Sequence, residues 1–239
     1  MRLGVLAPLF CALAALTGCF EVEREVEVLP DGSGRVSMRL RVPEALRRLD
    51  SRLPERIRQG AAQVEGVRWR APVEERGATV LVGYFSDLRA VRGHGITHRL
   101  DLAEDGGLRL VVVRGDPAGG KSPMDQVPQD LLEGRLARLL VSRMFAGLSV
   151  TERVVLPAPL RVAPEGRYAR RTEGNPRAAE TRVRGRDLGD LDGLRAALAE
   201  VAREPATFEC EPPAPGGQAA LAAEVQAALA ELFPAPEKE

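Results

Sequence analysis

From residue 20 to residue 29 apolar and charged positions alternate, with Val22, Val26 and Val28 on one parity and Glu21, Glu23, Glu25 and Glu27 on the other. Successive side chains of a strand point to opposite faces, so this period of two predicts a half-buried β-strand. Pro30-Asp31-Gly32-Ser33-Gly34 supplies turn chemistry, and Val36, Met38, Leu40 and Val42 resume the alternation. The two runs therefore read as an antiparallel hairpin. A second strand pair is predicted at 67–73 and 78–85 around Glu74-Glu75-Arg76-Gly77, and a third at 96–102 and 108–113 around Glu104-Asp105-Gly106-Gly107. Segments 149–156 and 179–188 read as further strands separated by a Pro-, Gly- and Arg-rich connection, and Phe208-Glu209-Cys210 again alternates.

The period changes elsewhere. Leu46, Leu49, Leu53, Ile57, Ala61 and Val64 recur three or four apart, the spacing of one buried helical face. Pro54 removes an interior donor, which predicts a kink or two short helices, the second capped by Asp50 or Ser51. Val127, Leu131, Leu132, Leu136, Leu139, Leu140, Met144 and Phe145 mark the strongest amphipathic helix, expected to dock on the sheet, and 191–202 reads as a short helix. Glu-Pro-Pro-Ala-Pro-Gly-Gly at 211–217 is a linker by composition, and it sets off an alanine-rich helix at 218–233 that is expected to be loosely attached. The expected fold is α+β: a mostly antiparallel sheet built from hairpins, packed against amphipathic helices, with a short appended C-terminal helix. The expected organisation is a leader at 1–18, a domain at 19–210, the linker at 211–217, and the helix with a polar tail at 218–239.

The leader follows from residues 1–19. Arg2 precedes an apolar run from Leu3 to about Leu16, too short for a spanning helix of about 20 residues, and small residues follow it. Leu16-Thr17-Gly18-Cys19 resembles the lipobox of bacterial lipoproteins. That resemblance implies cleavage between Gly18 and Cys19, a diacylglyceryl thioether on Cys19, and often an amide-linked acyl chain on the new N-terminus. One acyl chain holds only reversibly, at about 0.8 kcal/mol per buried methylene, whereas two or three give lasting attachment. The expected location is the cell envelope, with the domain facing the periplasm or the outside. Phe20, where an Asp would favour inner-membrane retention, tilts the expectation toward the outer membrane.

A second resemblance rests on the lipidated cysteine, the strand after it, the Asp31-Gly32-Ser33-Gly34 turn, the next strand and helix, and Tyr84-Phe85-Ser86-Asp87-Leu88. Together with Val154 to Gly166 (V-V-L-P-A-P-L-R-V-A-P-E-G), these are similar to LppM-type bacterial lipoprotein domains over about residues 19–210. The resemblance implies an envelope-exposed α+β domain and brings no catalytic residues. Members often carry a C-terminal spanning helix with a basic tail; this chain ends in Glu-Lys-Glu with no such apolar run, which leaves the acyl group as the expected anchor.

Composition narrows the function classes. With 34 basic and 34 acidic residues the chain has no net charge, so nothing global attracts nucleic acid, and aromatic residues at 4% provide no stacking platform for single strands. Lys121 and Lys238 are the only lysines; arginine supplies the rest of the positive charge, read here as coding bias before phosphate recognition. Of three cysteines, Cys11 leaves with the leader and Cys19 carries lipid, so Cys210 has no intrachain partner and is expected to be buried.

Three patterns could carry chemistry. Gly115-Asp116-Pro117-Ala118-Gly119-Gly120-Lys121-Ser122 satisfies the phosphate-loop pattern through Gly115, Gly120, Lys121 and Ser122. Export, Pro123 in place of a backbone donor, and the lack of a later magnesium-binding aspartate make coincidence the expectation, with Ser122 or Asp125 capping the next helix. His94 and His98 are separated by four residues, a metal spacing only on a helix; Gly93 and Gly95 disfavour one, and a strand would part the rings by about 13 Å, so surface or hinge roles are expected. The four glutamates of 21–27 read as a solvated strand face. No metal, cofactor or nucleic-acid partner is expected.

The sequence therefore points to a lipid-anchored envelope protein, held to the membrane through acyl chains on Cys19, with a non-enzymatic binding or structural role toward another envelope or surface component. Two other classes stay open: an envelope hydrolase or nucleotide-binding enzyme using carboxylates or the 115–122 loop, and a carrier enclosing an apolar ligand.

Overall fold

The computed structural model describes residues 20–42, 59, 63–93, 96–114, 147–188, 193, 196–197, 200–201 and 205–232. The helical readings at 43–58 and 127–145, the loop 115–122, Gly18, Cys19 and His94 lie outside the described residues. Among the described residues the fold is predominantly β, so the α+β expectation holds only in part. Among these residues twelve strands form two sheets, and one long helix, α1 (Ala219–Leu232), follows them.

The first hairpin forms as its alternation dictates: β1 (Phe20–Val28) pairs antiparallel with β2 (Gly34–Arg41). Asp31 ties the turn by accepting from the Ser33 backbone N–H at 3.0 Å and the Ser33 hydroxyl at 2.6 Å, while Gly32 adopts φ 85°. The next strands are β3 (Arg68–Trp69), β4 (Val73–Glu75) and β5 (Ala78–Phe85), of which β3 and β4 both pair with β5. The Gly32 carbonyl accepts from the Leu88 N–H at 2.9 Å, and Asp87 caps the short 3-10 turn Leu88–Ala90. The D-G-S-G and Y-F-S-D-L segments are thereby brought into contact.

Strands β6 (Ile96–Leu102) and β7 (Leu108–Arg114) form the third expected hairpin. Then β8 (Leu148–Val155) runs parallel to β1, a long-range pairing that no hairpin reading contains. After Leu156-Pro157-Ala158-Pro159 the chain changes sheets and forms β9 (Leu160–Val162). The prolines lack N–H groups and suit a corner where ladder bonding stops. The Pro-, Gly- and Arg-rich connection contains β10 (Ala169–Arg171), which hairpins onto β11 (Ala178–Arg184), and β12 (Ala206–Cys210) completes the set.

The large sheet has the order β10-β11-β8-β1-β2-β5-β3, with β4 beside β5; the small one runs β6-β7-β12-β9. Their inner faces share one apolar core of Val26, Val28, Val36, Phe85, Leu110, Val112, Val154 and Phe208. Cys210 is part of it, 2% exposed and unpaired, as expected.

The solvated acidic strand that the sequence suggests holds for Glu23, which is exposed, but Glu21, Glu25 and Glu27 are half-buried because flanking strands place arginines opposite them. Arg41 pairs with Glu21 at 2.8 Å, Arg153 with Glu25 at 3.0 Å, and Arg35 with Glu27. Glu180 extends the ladder by accepting from Arg170 at 2.8 Å and Arg153 at 3.4 Å, giving a chain of charges across β10, β11, β8 and β1.

The terminal helix is no loose appendage. Leu221, Val225, Ala228, Leu229 and Leu232 fall on one helical stripe and pack with Leu29, Val82 and Tyr84 of the outer sheet face. Tyr84, 1% exposed, donates its hydroxyl to Glu224 at 2.8 Å, and Arg35 donates to the same carboxylate at 3.0 and 3.1 Å. Burial and the Glu224 charge push the Tyr84 hydroxyl pKa above its ordinary value. Truncating the chain after Glu211 should uncover this cluster and lower stability by about 3 kcal/mol, the scale of one or two large apolar side chains returned to water. Urea unfolding of the truncated chain measures it; an unchanged midpoint would restore the appendage reading.

Candidate functional site

Three strands each carry one charged residue on an otherwise apolar inward parity. On β1 it is Arg24, between Val22 and Val26; on β8, Glu152, between Val150 and Val154; on β7, Arg114, after Leu110 and Val112. The parallel register sets Arg24 beside Glu152, and Arg114 reaches Glu152 from the opposite sheet. Arg114 donates through Nη2 at 2.6 Å and Nε at 3.3 Å to Glu152 Oε2, while Arg24 donates through Nη1 at 3.3 Å to Oε1. The side chains of Arg24, Glu152 and Arg114 are 19%, 16% and 11% exposed. This is an ionic clip between the two sheets.

Burial pushes the Glu152 carboxyl up, but Arg24 and Arg114 overcome that cost and hold its pKa below the ordinary carboxylate value. His98 lies beside the clip. The expectation of a surface or hinge role does not hold for it: the register of β6 against β7 turns the ring inward, and Nδ1 lies 3.1 Å from the Val91 carbonyl oxygen. Burial lowers its pKa, and Arg24 and Arg114 lower it further, outweighing the opposing effects of the Val91 carbonyl and the Glu152 carboxylate, so the ring is neutral at pH 7.

Arg114 also lines a cleft of about 750 Å3 between the end of the small sheet and the β10–β11 hairpin. Ala163, Pro164, Tyr168, Val201 and Pro205 form apolar parts of its wall, Thr181 and Thr207 also line it, and Glu165, Arg167 and Glu200 stand exposed at its margin. Val201 and Ala197 pack with Val183 and Tyr168, closing one side. The volume falls within the range of about 300–1,000 Å3 typical of small-molecule sites. A smaller hollow of about 270 Å3 lies where the linker meets Pro30 and Pro157.

Among the described residues no group of three or more His, Cys, Asp or Glu side chains could hold a metal ion. No described helix is long and apolar enough to cross a membrane. The residues singled out from sequence for lipidation and phosphate binding, Cys19, Gly115, Gly120, Lys121 and Ser122, are outside the described set, although Arg114 immediately precedes that loop. Sequence reasoning missed the Arg24–Glu152–Arg114 clip. Its signal was available: one charge interrupting the apolar parity of each strand.

No protein-family model matches the chain, and no curated protein matches it. Among solved structures it is similar to the folded domain of LppM from Mycobacterium tuberculosis, determined by NMR, at 11% identity, covering 84% of this chain and 94% of that one with a TM-score of 0.36. At that score the likeness carries no structural argument.

Proposed function

We propose that this protein is a lipid-anchored component of a bacterial cell envelope whose β domain has a non-enzymatic binding role. The carrying observation is the position of Cys19: the L-T-G-C sequence ends one residue before β1, which has three strands on one side in the large sheet and pairs on the other with β2. Acyl chains on that residue would tether the domain directly through its central strand, with almost no slack, and raise its concentration near other surface components. Phe20 at the following position favours the outer membrane.

The chemistry of the clip supports binding over catalysis. A general acid or base works best with a pKa near the operating pH, whereas Glu152 is held ionised by two guanidiniums and His98 is held neutral. Each is held in one protonation state around neutral pH.

Replacing Cys19 by Ser tests the anchor. The parent should be recovered with membranes, its N-terminal cysteine carrying acyl mass, and the variant should accumulate as an uncleaved, lipid-free precursor. Mass spectrometry and fractionation read both. A lipid-free, uncleaved parent, or a Cys19→Ser chain that still partitions as an acylated protein, would remove the proposal.

A further inference from the structure

The clip has uneven charge. Two guanidiniums face one carboxylate, His98 adds no charge while neutral, and all of these groups lie on the inner side of the sheets. The two guanidiniums share that one negative charge, so the clip as a whole is left with a net positive charge, and Arg114 is the member of it that lines the cleft. Its Nε and Nη2 are committed to Glu152, and among the described residues its Nη1 has no acceptor. A mostly buried positive charge with a spare donor, at the wall of a cleft of ligand size, favours an anion there far more than an exposed arginine does.

The surroundings restrict the anion. At the margin exposed Arg167, whose guanidinium lies 5.2 Å from the Tyr168 ring centroid, is outnumbered by exposed Glu165 and Glu200, so the rim keeps a net negative charge that repels charge extending outward, whereas Val201, Pro164 and Pro205 offer uncharged contact. Thr181, whose backbone lies beside that of Glu152 in the β11–β8 register, lines the same cleft. We infer that the cleft is a binding site for a singly charged oxyanion, carboxylate or phosphodiester, borne on an otherwise uncharged body and seated on Arg114. This deepens the binding half of the function proposed above and is independent of the tether: failure here leaves the acylation of Cys19 untouched, and an unacylated chain leaves this test valid.

The test titrates the full chain with butyrate, diethyl phosphate and neutral butyramide, following backbone amide shifts by NMR. One or both anions should saturate with shifts centred on Thr181, Tyr168 and Thr207, and butyramide should not. Arg114→Gln should weaken the bound anion by about tenfold, as loss of a charge-assisted contact demands, while the remaining Arg24–Glu152 pair keeps the clip neutral. Ala196, exposed on the cleft wall, provides variants that spare the clip. Ala196→Glu should weaken anion binding and Ala196→Lys should strengthen it, opposite shifts that a purely structural effect would not produce. Absence of saturation by both anions, equal binding of butyramide, or Ala196 variants of opposite charge that move affinity the same way would overturn the inference.

Discussion

Glu152→Gln should be among the most destabilising single substitutions in the described fold, costing about 3–5 kcal/mol, the usual penalty for breaking a buried ion pair from one side. The amide keeps the size of the side chain and can still accept a hydrogen bond, so packing changes little. What changes is charge. Arg24 and Arg114, held within hydrogen-bond distance of the same carboxylate, would become two mostly buried cations facing each other with nothing between them to neutralise either. Water cannot easily reach them, because their side chains are 19% and 11% exposed. Urea unfolding should show a lower midpoint with an unchanged slope, the mark of altered stability without altered compactness. Replacing Arg24, Glu152 and Arg114 together by Met should recover most of the loss, since removing a buried charge set whole is often neutral. A Glu152→Gln variant as stable as the parent would mean that the clip is hydrated and weak.

The same cluster fixes the sign of the acid response. The folded-state pKa of His98 is depressed, first by burial, so on acidification through its ordinary value of about 6.5 the unfolded chain takes up the proton before the folded one does. Glu152 is also depressed, and its contribution is fully present above its ordinary value of about 4.3 and is lost as pH falls through the lower folded value. Both groups therefore reduce stability as pH drops, His98 beginning just below neutrality and Glu152 in the acid range. Unfolding midpoints measured from pH 8 to pH 2 should fall monotonically, and in Glu152→Gln the deeper acid component, below about pH 4.3, should be missing. A rise on acidification would contradict the burial of His98.

How far this architecture can be read from sequence depends on the range of the interactions involved. The β1–β2 hairpin was legible because everything that specifies it is local: alternation from Glu21 to Val28, turn residues at Asp31 to Gly34, and alternation again from Val36. The parallel pairing of β1 with β8 was not, since alternation assigns faces and says nothing about neighbours far along the chain. Strand β10 escaped because Ala169-Arg170-Arg171 has no apolar parity; it exists through its hairpin with β11 and the pairing of Arg170 with Glu180. Glu21, Glu25 and Glu27 of β1 looked solvated for the same reason, their arginine partners residing on β2 and β8. The clip is the instructive case. Arg24, Glu152 and Arg114 each appeared as a blemish in an apolar row, and only the fold shows that the three blemishes coincide.

Gly34→Ala should be the second large effect, at about 3 kcal/mol or more, and it acts through backbone crowding without any change of charge. Gly34 opens β2 directly opposite Val28, and it is also paired with Phe85 of β5, so strands press on it from both sides. An added Cβ would overlap the Glu27 carbonyl oxygen and lie 2.6 Å from Cζ of the Phe85 ring. The Glu27 carbonyl belongs to the strand backbone, and Phe85 is fully buried in the main core, so neither can yield cheaply. Overpacking a close-packed site ordinarily costs about 1–3 kcal/mol; a clash with backbone on one side and a locked ring on the other belongs at the top of that range or above it. Gly77 is the matched control: a Cβ there would meet nothing within 4 Å, and its φ of 76° charges only the backbone strain of a left-handed position. Thermal unfolding of the two alanine variants should place Gly34→Ala well below Gly77→Ala, and adding Phe85→Leu should restore part of the Gly34→Ala loss by making room beside the new methyl group. Equal melting temperatures for the two alanine variants would mean that β1, β2 and β5 do not meet at Gly34 as closely as the register requires.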